Sequence, residues 1–90
     1  GEILSTALRA IFKRKEITLE WIQKHVAPSE YRVIEMVLSK EIGVSKASQL
    51  LNISAGSAAG SYSRGVKKLF KSHSVFQTEV ETVIESQRGQ

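Results

Sequence analysis

An all-α fold, a compact bundle of about five to six helices containing a helix-turn-helix, is what this 90-residue sequence predicts. Three observations point there. Apolar residues recur at helical spacing along the chain, whereas sustained alternation and Asn-Gly or Asp-Gly hairpin turns are missing. The chain is 41% hydrophobic, enough for one modest core in a single domain of this length. Gly43 and Asn52 stand where helical patterns break, and asparagine tolerates the left-handed conformation a tight interhelical turn requires.

Taken in order, Ile3, Leu4, Ala7, Leu8, Ile11 and Phe12 form the first apolar stripe, and Lys13-Arg14-Lys15 interrupts it. Thr18 is placed to cap a short helix carrying Leu19, Trp21, Ile22 and Val26, with Glu16 and Glu20 near its positive end. Pro28 is expected to end that helix, because the residue before a proline is pushed out of the α region. Ser29 then caps a helix bearing Val33, Ile34, Val37 and Leu38, which Gly43 stops. Ser45 opens a short helix through Ala47, Leu50 and Leu51. Asn52 makes a tight turn, Ile53 packs it, and Ser54 caps a helix over 55–70 whose inner face is Ala58, Tyr62, Val66, Leu69 and Phe70.

A last amphipathic helix, near 74–87, shows Val75, Phe76, Val80, Val83 and Ile84. Its stripe has two possible uses, covering the domain's own core or pairing with a second copy, and dimerisation is the expectation. The organisation is thus an N-terminal helical extension (1–28), a helix-turn-helix core (29–73) and the C-terminal helix (74–90) of one domain. With Gly1 rather than Met at its start, the chain is expected to be a trimmed piece of a longer one.

Composition removes several functions. No cysteine means no disulfide, thiolate chemistry or cysteine zinc site. No apolar run approaches the roughly 18 residues of a membrane span, and no signal-peptide pattern is present. Asp is absent, and His25 and His73 lie far apart in sequence, outside any His-Glu-x-x-His pattern. Gly56-x-x-x-Gly60 lacks the Gly-Lys-Ser/Thr ending of a phosphate loop. Neither an enzyme, a metal nor a cofactor is expected.

Charge distribution says more than the net charge of +4. Between Glu41 and Glu79 there is no acidic residue, while Lys46, Arg64, Lys67, Lys68 and Lys71 all fall in that interval. Such a stretch suits a polyanion. The Lys13-Arg14-Lys15 run fits an ordinary exposed loop as well as it fits a phosphate contact. Trp21 and Tyr62 have core spacing.

The pattern Ala47-x-x-x-Leu51-Asn52-Ile53-Ser54, then Gly56-Ser57-Ala58, matches two helices crossing closely at a short turn. Duplex DNA is therefore the expected partner, met by Lys46, Ser54, Ala55, Gly56, Ser57, Ala59, Gly60, Ser61, Ser63, Arg64, Lys67, Lys68 and Lys71. The N–H groups behind Ser54 can hold a phosphate. Small residues let the helix backbone sit deep in the major groove, where alanine methyls meet thymine methyls. Ser57, Ser61 and Ser63 reach base edges or phosphates, and Arg64 can contact guanine bidentately. The three lysines reach phosphates. Gly56, Gly60 and Gly65 in one helix violate propensity, each interior glycine costing about 1 kcal/mol against alanine. Close approach to DNA or to a neighbouring helix would explain them.

Ile53-Ser54-Ala55-Gly56-Ser57-Ala58, followed by Ser63-Arg64-Gly65-Val66-Lys67-Lys68-Leu69, resembles the helix-turn-helix of sigma factor region 4. The segment Ser29 to Leu38 is similar to the helix preceding it there. The same stretch also resembles plasmid repressors of the KorA (TrfB) type and fimbrial regulators of the PapB type. The resemblance spans Ser29 to Phe70, about half the chain. Asn52 stands where such sequences usually carry glycine, and Ala59-Gly60-Ser61 where they carry longer polar side chains.

The resemblance implies a sequence-specific, double-stranded-DNA-binding transcription regulator of bacterial, plasmid or phage type. Repression is the implied output, from a homodimer in the cytoplasm, on the nucleoid. Two alternatives stand beside it: a sigma-like domain that also binds RNA polymerase, and a helical adaptor whose basic face meets an acidic protein.

Overall fold

The computed structural model describes residues 2–88, and the helical expectation holds throughout them. Six helices follow one another, α1 (Glu2–Lys13), α2 (Leu19–His25), α3 (Pro28–Lys40), α4 (Val44–Leu51), α5 (Ala55–Ser72) and α6 (Ser74–Arg88), with no strand among the described residues. They form an all-α bundle around one core. Leu8, Ile11, Ile22, Val33, Ile34, Leu69 and Phe76 are sealed from solvent, along with the small Ala47 and Ala58. The first two helices share this core with the rest.

Helix ends follow local chemistry, with some boundaries displaced from expectation. Thr18 caps α2 as expected, its hydroxyl accepting from the Trp21 N–H at 3.1 Å. Helix α2 stops at His25, and Pro28 opens α3 at its first turn, where a missing N–H costs nothing. Ser29 is thus inside α3 and does not cap it. Instead Glu30 reaches back, its Oε1 accepting from the Ala27 N–H at 2.9 Å. Helix α3 ends through Glu41, and Gly43 caps the start of α4, one residue ahead of the expected Ser45 opening.

Among the described residues three that are not glycine take left-handed backbone: Lys15 (φ 63°), Glu41 (φ 54°) and Asn52 (φ 57°). Asn52 closes α4 as expected: its N–H bonds to the Gln49 carbonyl and that of Ile53 to the Ser48 carbonyl. Lys15 closes α1 by the same pair of bonds, Lys15 N–H to Phe12 and Glu16 N–H to Ile11. Asparagine adopts this conformation readily, but for lysine or glutamate it costs on the order of 1 kcal/mol.

Helix α5 is the spine, lying against α3 and α4 and touching α1, α2 and α6. Helix α6 packs along α1. Its Phe76 is fully buried against Trp21 and Phe70, and Glu79 meets Arg14 at 2.6 Å. Of the apolar stripe expected to pair with a second copy, Phe76 is buried inside the chain, while Val75, Val80, Val83 and Ile84 are half-buried. Among the described residues no helix is long and apolar enough to cross a membrane.

Candidate nucleic-acid interface

Helix α4 (Val44–Leu51) and helix α5 (Ala55–Ser72) are separated by Asn52, Ile53 and Ser54. Ala47 on α4 and Ala58 on α5 have no exposed surface, and the two helices pack against each other. Ser54 adopts the extended backbone of a cap, and its hydroxyl accepts from the Ser57 N–H at 3.1 Å. The first N–H groups of α5, which no preceding turn can satisfy, lie at exposed Ala55 and Gly56.

Helix α5 has two halves with different surfaces. In the first, Ala55, Gly56, Ser57, Ala59 and Ser63 are exposed and Gly60 is half-buried. In the second, Arg64, Lys67, Lys68, Lys71 and the terminal Ser72 are exposed. Lys46 is exposed on α4. Of the thirteen expected contacts, Ser61 is the exception: it is buried on the inner face, where Arg64 Nη2 donates to its Oγ at 3.4 Å. Helical rotation turns it towards the core with Ala58, Tyr62 and Gly65, so it is not presented to a groove.

Space around the glycines separates them. A Cβ on Gly65 would lie 2.6 Å from Ile34 Cδ1 and 3.1 Å from Glu30 Cβ, so this glycine exists to let α5 lie on α3. A Cβ on Gly56 would meet nothing within 4 Å, and one on Gly60 only the tip of the Arg64 side chain at 3.2 Å. The fold itself asks for neither.

Below the basic half lies a carboxylate that the sequence reading passed over. Glu30 is only 3% exposed, yet it accepts from Lys68 Nζ at 2.9 and 3.1 Å, and Arg64 Nε stands 3.6 Å away. Burial alone would push its carboxyl up. The Lys68 and Ala27 hydrogen bonds, with the charges of Lys68 and Arg64, outweigh this and hold it below the ordinary value of 4.5. Arg64 thus has one edge drawn inward while its side chain remains 64% exposed. The Glu at the third position of α3 was legible as a capping residue, but its partner lies 38 positions away. Among the described residues Lys46, Lys67 and Lys71 make no ion pair.

The two histidines, remote in sequence, converge on Trp21, with ring centroids 4.2 Å (His25) and 5.6 Å (His73) away. Tyr62 is buried as expected, its hydroxyl 2.7 Å from that of Ser5. No group of three His, Cys, Asp or Glu able to hold a metal occurs among the described residues. Comparison with protein-family models, with curated proteins and with solved structures gave no match, so the site is interpreted from its own geometry.

Proposed function

We propose that this chain is a sequence-specific double-stranded-DNA-binding regulator, with α4 and α5 acting as a helix-turn-helix and α5 entering the major groove. The observation that carries this is the open space around Gly56 and Gly60. Gly60, inside the helix, costs it about 1 kcal/mol against alanine, and no neighbour within the chain requires it; Gly56, in the first turn, is as open. A surface that must come very close to the helix backbone calls for such residues. The exposed lysines of the second half, Lys67 and Lys71, with Lys46 on α4, flank that smooth surface as phosphate contacts would.

In this arrangement the first half of α5 reads base edges and methyls, and Arg64 supplies the one bidentate contact to guanine. Glu30 draws one edge of Arg64 inward and limits the directions its guanidinium samples, which lowers the ordering cost of that contact. Lys68 splits its charge between Glu30 and a phosphate. The regulator works as a repressor of bacterial, plasmid or phage type and without enzymatic chemistry. Two copies bind half-sites.

One observation favours a different partner. Gly56 and Gly60 stand one turn apart on the same face, which also suits close packing of a second helix. A helical adaptor with a basic face is that second reading, and an RNA-polymerase contact is one form of it.

Selection of bound duplexes from a random pool, then a salt titration on the winner, tests the proposal. An enriched two-fold motif, with affinity falling steeply as salt rises, is the expected result. An asymmetric motif would indicate a monomer or a sigma-like domain. No enrichment, with binding to an acidic protein that excess duplex fails to compete, would overturn DNA recognition. On the best site Arg64→Ala is expected to cost on the order of 1–3 kcal/mol and to relax preference at one position.

A further inference from the structure

A groove of about 800 Å³ opens between the end of α1, the start of α2 and the end of α3, and no residue of α4 or α5 lines it. That volume lies in the range of pockets that hold small organic ligands. Its floor is apolar, with buried Ile17, Val37 and Leu38 below half-buried Phe12 and Leu19. Its rim is cationic: Arg9, Lys13 and Lys15 face a single carboxylate, Glu41. Lys13 and Lys15 make no ion pair among the described residues. Arg9 donates Nη2 to the Ile42 carbonyl at a long 3.4 Å.

A second observation marks the same place. Two of the three left-handed non-glycine residues, Lys15 and Glu41, stand on this rim. A glycine at either position would relieve the backbone, and strain of this kind gathers at ligand sites because the side chain is worth keeping. At position 15 the side chain kept is a cation beside an apolar floor.

We propose that this groove binds a single-chain amphiphile with an anionic head, a carboxylate or a phosphate monoester. The apolar tail covers Phe12, Leu19 and Leu38, while the head sits between Lys13 and Lys15 with Arg9 behind. A phosphodiester backbone has nothing apolar to cover the floor, so the groove is no continuation of the α5 surface. A cationic head would meet like charge. Binding here is independent of whether α5 binds DNA.

The test is a titration of the full chain, followed by amide NMR, with dodecanoate and dodecyl phosphate below their micelle concentrations. Dodecyltrimethylammonium serves as the charge control and phosphatidylglycerol vesicles as the surface control. Saturable one-to-one binding is expected, with shifts confined to the groove and the ammonium analogue weaker by about tenfold or more. The tighter of the two anions assigns the head. Lys15→Gly should bind about tenfold more weakly while melting no lower than the parent, which separates lost recognition from lost fold. Lys13→Glu should bind more weakly still. Equal binding of the ammonium analogue, shifts scattered over the molecule, binding to vesicles alone, or unchanged affinity in both variants would overturn the proposal.

Discussion

The two halves of α5 use the same residue for opposite ends. Gly65, in the second half, is pressed against Ile34 and Glu30, and a methyl there would collide with the neighbouring helix. Gly56 and Gly60, in the first half, face outward and could carry a methyl with little or no intramolecular cost. One glycine is a packing device, whereas no neighbour inside the chain calls for the other two. A propensity violation is thus a question, and the space around each residue answers it.

The comparison breaks most readily at Glu30, which joins the packed half to the basic face. Glu30→Ala removes the cap of α3 and the partner of Lys68 together. A loss of about 2–3 kcal/mol in denaturant unfolding is expected, since hydrogen bonds to charged groups contribute on the order of 1.5–3 kcal/mol. Lys68 and Arg64 are half-exposed or more and can turn to water, which keeps the loss below that of a fully buried pair. A change under about 0.5 kcal/mol would mean that the pair adds nothing to the fold.

Next in size is Gly65→Ala. Overpacking typically costs about 1–3 kcal/mol, against about 1 kcal/mol regained in helix propensity. A net loss of about 1 kcal/mol is expected. Gly56→Ala and Gly60→Ala should go the other way, raising stability by up to about 1 kcal/mol while weakening binding to the selected duplex. If both raised stability and left DNA affinity untouched, the open glycines would have no bearing on recognition.

A pH titration gives the finest cut. The folded-state pKa of Glu30 is depressed, so its contribution is complete above the unfolded value near 4.5 and is lost as pH falls through the lower folded value. Stability should decline as pH drops below about 4.5, and Glu30→Gln should flatten that part of the curve. Lys68→Ala removes the strongest depressing partner, so the folded pKa rises towards or past the unfolded one and the acid decline should shrink or reverse. An unchanged acid limb in both variants would detach Glu30 from the stability of the packed half.

Much of the architecture was legible because it is local. Thr18 and Ser54 cap their helices, Asn52 takes the left-handed turn, and the spacing of Ala58, Tyr62, Val66 and Leu69 marks the inner face of α5. Caps, turns and amphipathic spacing depend on residues within about four positions of each other, and the order of residues records such relations directly. The boundary shifts at Pro28 and Gly43 have the same local origin. Each residue can end one helix or begin the next, and chain order alone does not say which.

Other features required the folded chain. Ser61 was assigned to the outward face, and its burial follows from where α3 crosses α5. The apolar stripe of α6 places Phe76 in the chain's own core and leaves Val75, Val80, Val83 and Ile84 half-buried, a division its spacing alone did not give. Glu30 meets Lys68, Tyr62 meets Ser5, both histidines meet Trp21, and the rim of the groove assembles from three helices. By itself the sequence determined an all-α chain, the place of its turns, and a long interval without acid. Only the tertiary structure decided which glycines are packed and which carboxylate lies under the basic face. Contacts between residues tens of positions apart depend on how helices cross, and many pairings share one local pattern.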